Sequence, residues 1–240
     1  MIFLIPWASR LFIYLAAALL PALYLMRYIY RKDKWEPEPL QLLVQLVLIG
    51  VLAALVSVVL ELVANYILRL TSLDPQSPLY MVVTAFLGVA AIEEGAKYFF
   101  LYRTTWNNPN FNFRFHGIVY AAFVSLGFAA YENVHYVFSY GLSVAIPRAL
   151  LAIPGHLAFS VVFGCFYAKA KKKDSWGQAK EARANLITGY VLATLLHGFY
   201  DACTMIGTNL SLTAFLLFVA ILYLSIFRLI SRKSDQDGPL

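Results

Sequence analysis

Seven stretches of the chain hold the run of about 20 mostly apolar residues that an α-helix needs to cross a bilayer. They are Ile2–Met26, Leu40–Tyr66, Leu79–Tyr102, Gly117–Phe138, Pro147–Ala168, Ala184–Met205 and Leu210–Leu229. In lipid every backbone N–H and C=O must be satisfied within the protein, which leaves closed barrels and helices as the structures that span. Runs of this length select the helix. The expected fold is therefore all-α: a polytopic transmembrane helical bundle of about seven spans. Only 13% of the residues are charged, against about 25% in soluble globular domains. Residues 1–240 read as a single membrane-embedded domain.

Lys and Arg alternate between the segments that join these stretches. Arg27, Arg31, Lys32 and Lys34 follow the first, Arg103 and Arg114 the third, a run over 169–183 the fifth, and Arg228, Arg232 and Lys233 end the last. The opposite loops offer little beyond Arg69 and Arg148. By the positive-inside rule the N-terminus lies outside and the C-terminus in the cytoplasm. The same rule accounts for the net charge of +6, so no nucleic-acid partner is expected. The 169–183 run reads as a solvated cytoplasmic loop, with a secondary affinity for anionic lipid. The first stretch carries Arg10 and has no clean cleavage site, so it reads as a retained span and not a signal peptide. Cys165 and Cys203 form no CxxC pair and imply no disulfide framework.

What the apolar stretches contain is more informative than their number. An ionisable side chain at the bilayer centre costs about 2.5–3.5 kcal/mol on insertion scales and usually marks a function. Such groups cluster in the third to sixth stretches. The third reads Ala91-Ile92-Glu93-Glu94-Gly95-Ala96-Lys97. Lys97 is one helical turn from both carboxylates, so it can hold one Glu ionised and leave the other for acid–base work. The fourth carries Glu132, Asn133 and His135; Glu-x-x-His is also a di-iron spacing, but His135 fits better as an outer-end helix residue. The fifth places Pro154 and Gly155 before His156, loosening the helix where irregular backbone is tolerated only against a protein-lined cavity. Ser160, one turn on, lacks a nucleophile elbow. The sixth puts His197 and Asp201 on one helix side. For each group alone the alternative is packing: a buried ion pair, a bonded histidine, a His–Asp contact between helices.

Depth brings the groups together. At about 1.5 Å per residue, Glu93 and Glu94 lie roughly 12–14 Å from the cytoplasmic end of their stretch. Glu132, His156 and His197 come out at roughly 18–23 Å, and tilt can close that gap. Two imidazoles and a carboxylate form a zinc set with a fourth position left for water, and a further Glu nearby can take that water's proton.

These segments resemble the PrsW family, within the wider group of CAAX-processing and bacteriocin-processing membrane proteases. The resemblance rests on Glu93-Glu94-Gly95-Ala96-Lys97, Phe128 to Asn133, Gly155-His156 with Phe159-Ser160, and His197 to Asp201, with Trp35-Glu36-Pro37-Glu38-Pro39 as an early cytoplasmic loop. It implies a helical bundle that cleaves peptide bonds at or within the membrane of a bacterial cell. The family's namesake makes the first, extracytoplasmic-side cut in a membrane-spanning anti-sigma factor, which starts a stress response. The resemblance implies Glu93 as the base that activates water and Glu94 as the partner of Lys97 that orients the site. Glu132, His156 and His197 would hold a divalent metal, expected to be zinc. Asn133 and Asp201 would stand behind the ligands or donate on the oxyanion side. In the CAAX-processing relatives a His stands at the place of Glu132 and often an Asn at that of Asp201, so the ligand set differs between the branches.

Three other functions are compatible with buried ionisable groups: an ion- or proton-coupled transporter, a silent immunity or sensor protein, and CAAX-type processing. The polar groups occupy one layer and no inverted repeat is visible, which weighs against a transport path.

Overall fold

The computed structural model describes residues 7–240. Among the described residues there is no sheet, only an isolated bridge between Phe113 and Pro239. The chain forms long helices joined by short turns: α1 (Trp7–Lys32), α2 (Leu40–Arg69), α3 (Pro78–Thr105), α4 (His116–Tyr140), α5 (Leu142–Ser175), α6 (Ala179–Ile206) and α7 (Asn209–Asp235). Each apolar stretch lies within one of them, apart from residues 2–6 of the first, which fall outside the described residues. Six of the helices are long and apolar enough to cross a membrane. The remaining one, α6, is 28 residues long but carries too many polar groups to qualify on composition.

The helices overrun the apolar stretches at their basic ends. The clearest case corrects the expected loop at 169–183: α5 continues to Ser175, Gly177 turns the chain at φ 71°, and α6 begins at Ala179. Lysine is a good helix former, and cations in the last turn complement the helix dipole, so Lys172 and Lys173 extend the helix where a loop was expected.

One helix sits in the middle. In α4, 83% of the most apolar window is buried, against 22% in α7. The reason is a run of small residues, Ala121-Ala122 and Gly127 to Ala130 less Phe128, which lets neighbours approach closely. A Cβ on Gly50 of α2 would stand 2.1 Å from the Val124 carbonyl of α4, and one on Gly127 would stand 2.4 Å from that of Val47. These two helices touch backbone to backbone. Outward faces are the reverse of a soluble protein: Leu48, Leu62, Leu216 and Ile221 are exposed, as lipid contact requires.

The packing order matters for the site. α4 packs on α2 and α5, α5 on α6, α6 on the first half of α3, and α3 on α2. These five helices therefore close a ring, with α1 and α7 outside it. Each ring member carries ionisable groups in its apolar part: Glu61, then Glu93, Glu94 and Lys97, then Glu132, His156, and finally His197 and Asp201.

Candidate active site

Two wide turns set the site. α3 passes through a π-helical segment over Thr84–Ala90 just before Ala91, and α5 through another over Arg148–Ala152 just before Ile153. In α5 the cause is Pro154, which has no N–H and whose ring clashes with the carbonyl four residues back. The wider turn makes room for it. Segments of this kind recur at functional sites, and here each is followed within a turn by the residues in question. Local bonds then hold the register. Ser125 Oγ donates to the His156 carbonyl at 2.9 Å, Tyr190 Oη to the Ala91 carbonyl at 2.9 Å, and Tyr223 Oη to the Leu151 carbonyl.

Glu93, Glu94, Lys97, His156 and His197 are all 4–5% exposed. The Lys97 ammonium is their hub. It donates to Glu94 Oε1 at 2.8 Å, to Glu93 Oε2 at 3.1 Å and to His156 Nδ1 at 3.1 Å, and lies 4.0 Å from the centroid of the Phe128 ring. Its three protons are thereby matched. His156 Nδ1 is then an acceptor, and Nε2–H points to Glu132 Oε2 at 2.8 Å. His197 Nδ1–H donates to Glu94 Oε1 at 2.9 Å, which leaves Nε2 facing Asp201 Oδ2 at 3.4 Å and Glu93 Oε2 at 4.0 Å. The two imidazoles stand edge to face with centroids 5.3 Å apart, and Phe159 stacks on His197 at 4.9 Å.

A cavity of about 410 Å³ opens beside this cluster, lined among others by Glu61, Glu93, Glu132, Arg148, His156 and Asp201. A second, of about 290 Å³ between α2 and α4, shares Glu61, Glu93 and Glu132 with it. The cluster is thus enclosed by protein yet reached from two sides.

The donor set fits a divalent metal. Glu93, His156 and His197 each offer an atom such that all three lie within 4.8 Å of one another. Donors around one tetrahedral ion at about 2.0–2.1 Å stand roughly 3.4 Å apart, so small side-chain movements complete the set. Two histidines and one carboxylate, next to a cavity, match a catalytic composition and not a closed structural one.

Every residue expected in the cluster is found in or beside it, and the estimated difference in depth between Glu93 and the histidines has closed. Three details differ from expectation. Lys97 holds both carboxylates of α3, so neither is free of it. The tight three-donor group contains Glu93, while Glu132 touches His156 alone of the imidazoles. Asn133 spends its amide elsewhere: Nδ2 donates to the Ala18 carbonyl of α1 at 2.7 Å, and Oδ1 accepts from Arg148 Nε at 3.0 Å. It steadies Arg148 rather than offering an oxyanion donor. Ser160 Oγ donates to the Leu157 carbonyl, and His135 is exposed at the outer part of α4.

Sequence reasoning missed Glu61 and Arg148. Glu61 is a carboxylate flanked by Leu60 and Leu62 in an apolar helix, and the cost of burying it was signal enough. Arg148 was counted only as a loop charge. It bridges Asn133 and Glu132, the latter at 3.4 Å, and lies over the Tyr136 ring at 3.9 Å.

Comparison with known proteins adds an independent line. The family profile described as PrsW family intramembrane metalloprotease matches residues 38–229, which include all the residues of the cluster. Protease PrsW of Geobacillus kaustophilus (strain HTA426) is 36% identical over 191 residues, covering 80% of this chain and 79% of that protein. Protease PrsW of Clostridioides difficile (strain 630) is 32% identical over 210 residues, 86% of this chain and 85% of that one. For Protease PrsW of Bacillus subtilis (strain 168) the figures are 31% over 192 residues, 80% and 82%. No solved structure matches. The chain belongs to the PrsW family of intramembrane metalloproteases, and is a multi-pass protease of the bacterial cell membrane.

Proposed function

We propose that this protease makes the first, extracytoplasmic-side cut in a membrane-anchored protein such as an anti-sigma factor, using zinc held by His156, His197 and Glu132, with Glu93 as base. The observation that carries the reading is the convergence of two imidazoles and the Glu93 carboxylate within 4.8 Å, inside the ring of helices and beside a cavity.

A divalent metal in this set supplies Lewis-acid polarisation of a peptide carbonyl and of water. The chain's own residues do the rest. Glu93, placed between the imidazoles and bordering both cavities, takes the proton of the attacking water and returns it to the leaving amine. Lys97 holds Glu93 in place from 3.1 Å. Glu94 and Asp201 fix the orientation of His197. Arg148, anchored by Asn133 and Glu132, places a cation on the cavity wall where negative charge develops. A substrate helix has to unwind locally before its carbonyls are open to attack, and the two cavities flanking Glu93 give an extended segment room on either side.

Depth supports the side of the cut. Glu132 lies about 12 Å before the end of α4 and His197 about 14 Å before the end of α6, while their basic ends are roughly 24–27 Å away. With α6 as the seventh crossing, the N-terminus outside and the C-terminus in the cytoplasm, the cluster belongs to the outer half of the bilayer.

The test is metal content and cleavage measured together on purified full-length protein with a membrane-anchored substrate. His156→Ala, His197→Ala and Glu132→Ala are expected to lose both. Glu93→Gln is expected to keep the metal and lose cleavage by at least about 100-fold. Loss of metal in Glu93→Gln with retention in Glu132→Ala exchanges the two roles. Full activity in the histidine variants ends the metal mechanism.

A further inference from the structure

A second polar cavity lies at the basic end of the bundle, about 20–24 Å along α5 from His156. Its volume is about 440 Å³, more than ten times the roughly 30 Å³ that one water occupies. Four cations line it: Arg114 ahead of α4, Lys169 and Lys172 on α5, and Lys233 on α7. Phe115 and Ile118, at the start of α4, form part of the wall together with Cys165 and Ala168.

The charge here is uncompensated. Among the described residues none of the four cations makes an ion pair with a carboxylate. Lys169 and Lys172 lie over the rings of Phe166 and Trp176, at 4.5 and 4.9 Å. Arg114 Nε reaches only the Pro239 carbonyl, at 3.4 Å. The neighbouring acids are committed: Asp235 pairs with Lys34 at 2.7 Å, and Asp237 Oδ1 accepts from the backbone N–H groups of Phe115 and Gly238. Lys169 and Lys172 are one turn apart on one helix, an arrangement of like charges that is unfavourable in itself. The first turn of α4, a 25-residue helix, adds the positive end of its dipole. Cations gathered from three helices around one concavity, with an apolar wall behind them, match a phosphate group that carries or lacks a lipid tail.

We propose that this cavity binds a phosphate-bearing anion, either the headgroup of an anionic membrane phospholipid or free inorganic phosphate. The site is separate from the cleavage centre and independent of its mechanism.

The test uses full-length protein in neutral detergent. Retention of phosphatidylglycerol or phosphatidylcholine is measured by native mass spectrometry, and thermal stability is followed with each lipid and with inorganic phosphate. Phosphatidylglycerol is expected to be retained over phosphatidylcholine and to raise Tm, as a ligand of the folded state must. The triple variant Lys169→Gln/Lys172→Gln/Lys233→Gln is expected to weaken retention by at least about tenfold and to lose the Tm shift. The control triple Lys173→Gln/Lys180→Gln/Arg183→Gln, outside the cavity, is expected to behave as wild type. A shift produced by inorganic phosphate, and lost in the cavity variant, assigns free phosphate as the ligand; a shift confined to phosphatidylglycerol assigns the headgroup. Where the cavity triple does not fold, Lys169→Gln and Lys233→Gln are read singly, each expected to weaken binding about fivefold. Equal losses in the two triples, equal retention of the two lipids, or no binding of either anion overturns the proposal.

Discussion

His197 Nδ1 lies 2.9 Å from Glu94 Oε1, the same oxygen that accepts from Lys97 at 2.8 Å. One carboxylate oxygen thus fixes the ring orientation of a histidine and takes the nearest charge of the only lysine in the cluster. A carboxylate behind a ligating imidazole raises its basicity and selects its tautomer, and removing one costs about 10–100-fold in metal affinity. Glu94→Gln keeps the shape and removes the charge. It is expected to weaken zinc affinity by that factor, with cleavage falling in step, when zinc is titrated against a chelator. Unchanged zinc affinity with lost cleavage would move Glu94 from orienting His197 into the chemistry itself.

Lys97 holds two carboxylates that are both about 5% exposed. Removing one partner of a buried ionic group leaves the other uncompensated, at a cost of about 3–5 kcal/mol. Lys97→Met is therefore expected to fold poorly, seen as a lower unfolding temperature and yield in detergent. Glu94→Gln added to it is expected to recover part of the loss, because one stranded charge is gone; the non-additivity of the pair measures their coupling. A Lys97→Met protein as stable as wild type would contradict the hub geometry.

The helices were legible because lipid leaves the backbone so few options: length and apolarity place each long helix. The cluster was legible for the same reason, since Glu93, Glu132, His156 and His197 are each conspicuous in an apolar run. Their convergence was not. It depends on helix packing order and on the two π-helical segments, and no local pattern in Thr84–Ala90 announces one. Glu61 was overlooked although the same burial argument covers it. Arg148 lies in a segment read as the edge of a span, and only the fold turns it toward Glu132. The family profile separates the protease reading from transport or immunity, which the buried charges alone leave open.

Gly50 tests the packing that brings α2, and with it Glu61, against α4. A Cβ there would stand 2.1 Å from the Val124 carbonyl and 2.9 Å from the Phe128 amide nitrogen, both backbone atoms that cannot rotate away. Gly50→Ala is expected to cost about 1–3 kcal/mol by overpacking. At Gly88 the nearest atom is a Leu68 methyl at 3.4 Å, so Gly88→Ala is expected to stay within about 0.5 kcal/mol of wild type. Thermal unfolding of the two variants side by side checks this, and equal stabilities would mean that α2 and α4 stand further apart.

The turn between α1 and α2 carries its own pH dependence. Asp33 Oδ2 accepts from the Glu38 backbone N–H at 3.2 Å, and its Oδ1 lies 3.7 Å from His116 Nε2. Burial pushes the Asp33 carboxyl up from 3.8 to about 6, outweighing the attraction of His116, which acts in the opposite direction. The folded state therefore binds this proton more tightly than the unfolded chain. The associated stability is complete below about pH 4 and is lost as pH rises through about 6. Asp33→Asn holds the neutral form at every pH and escapes that loss. The Tm of the variant minus that of wild type is expected to rise between about pH 4 and pH 7 and to level off above. Parallel Tm profiles across this window, or a difference that falls, would show that Asp33 is not held in a desolvated position.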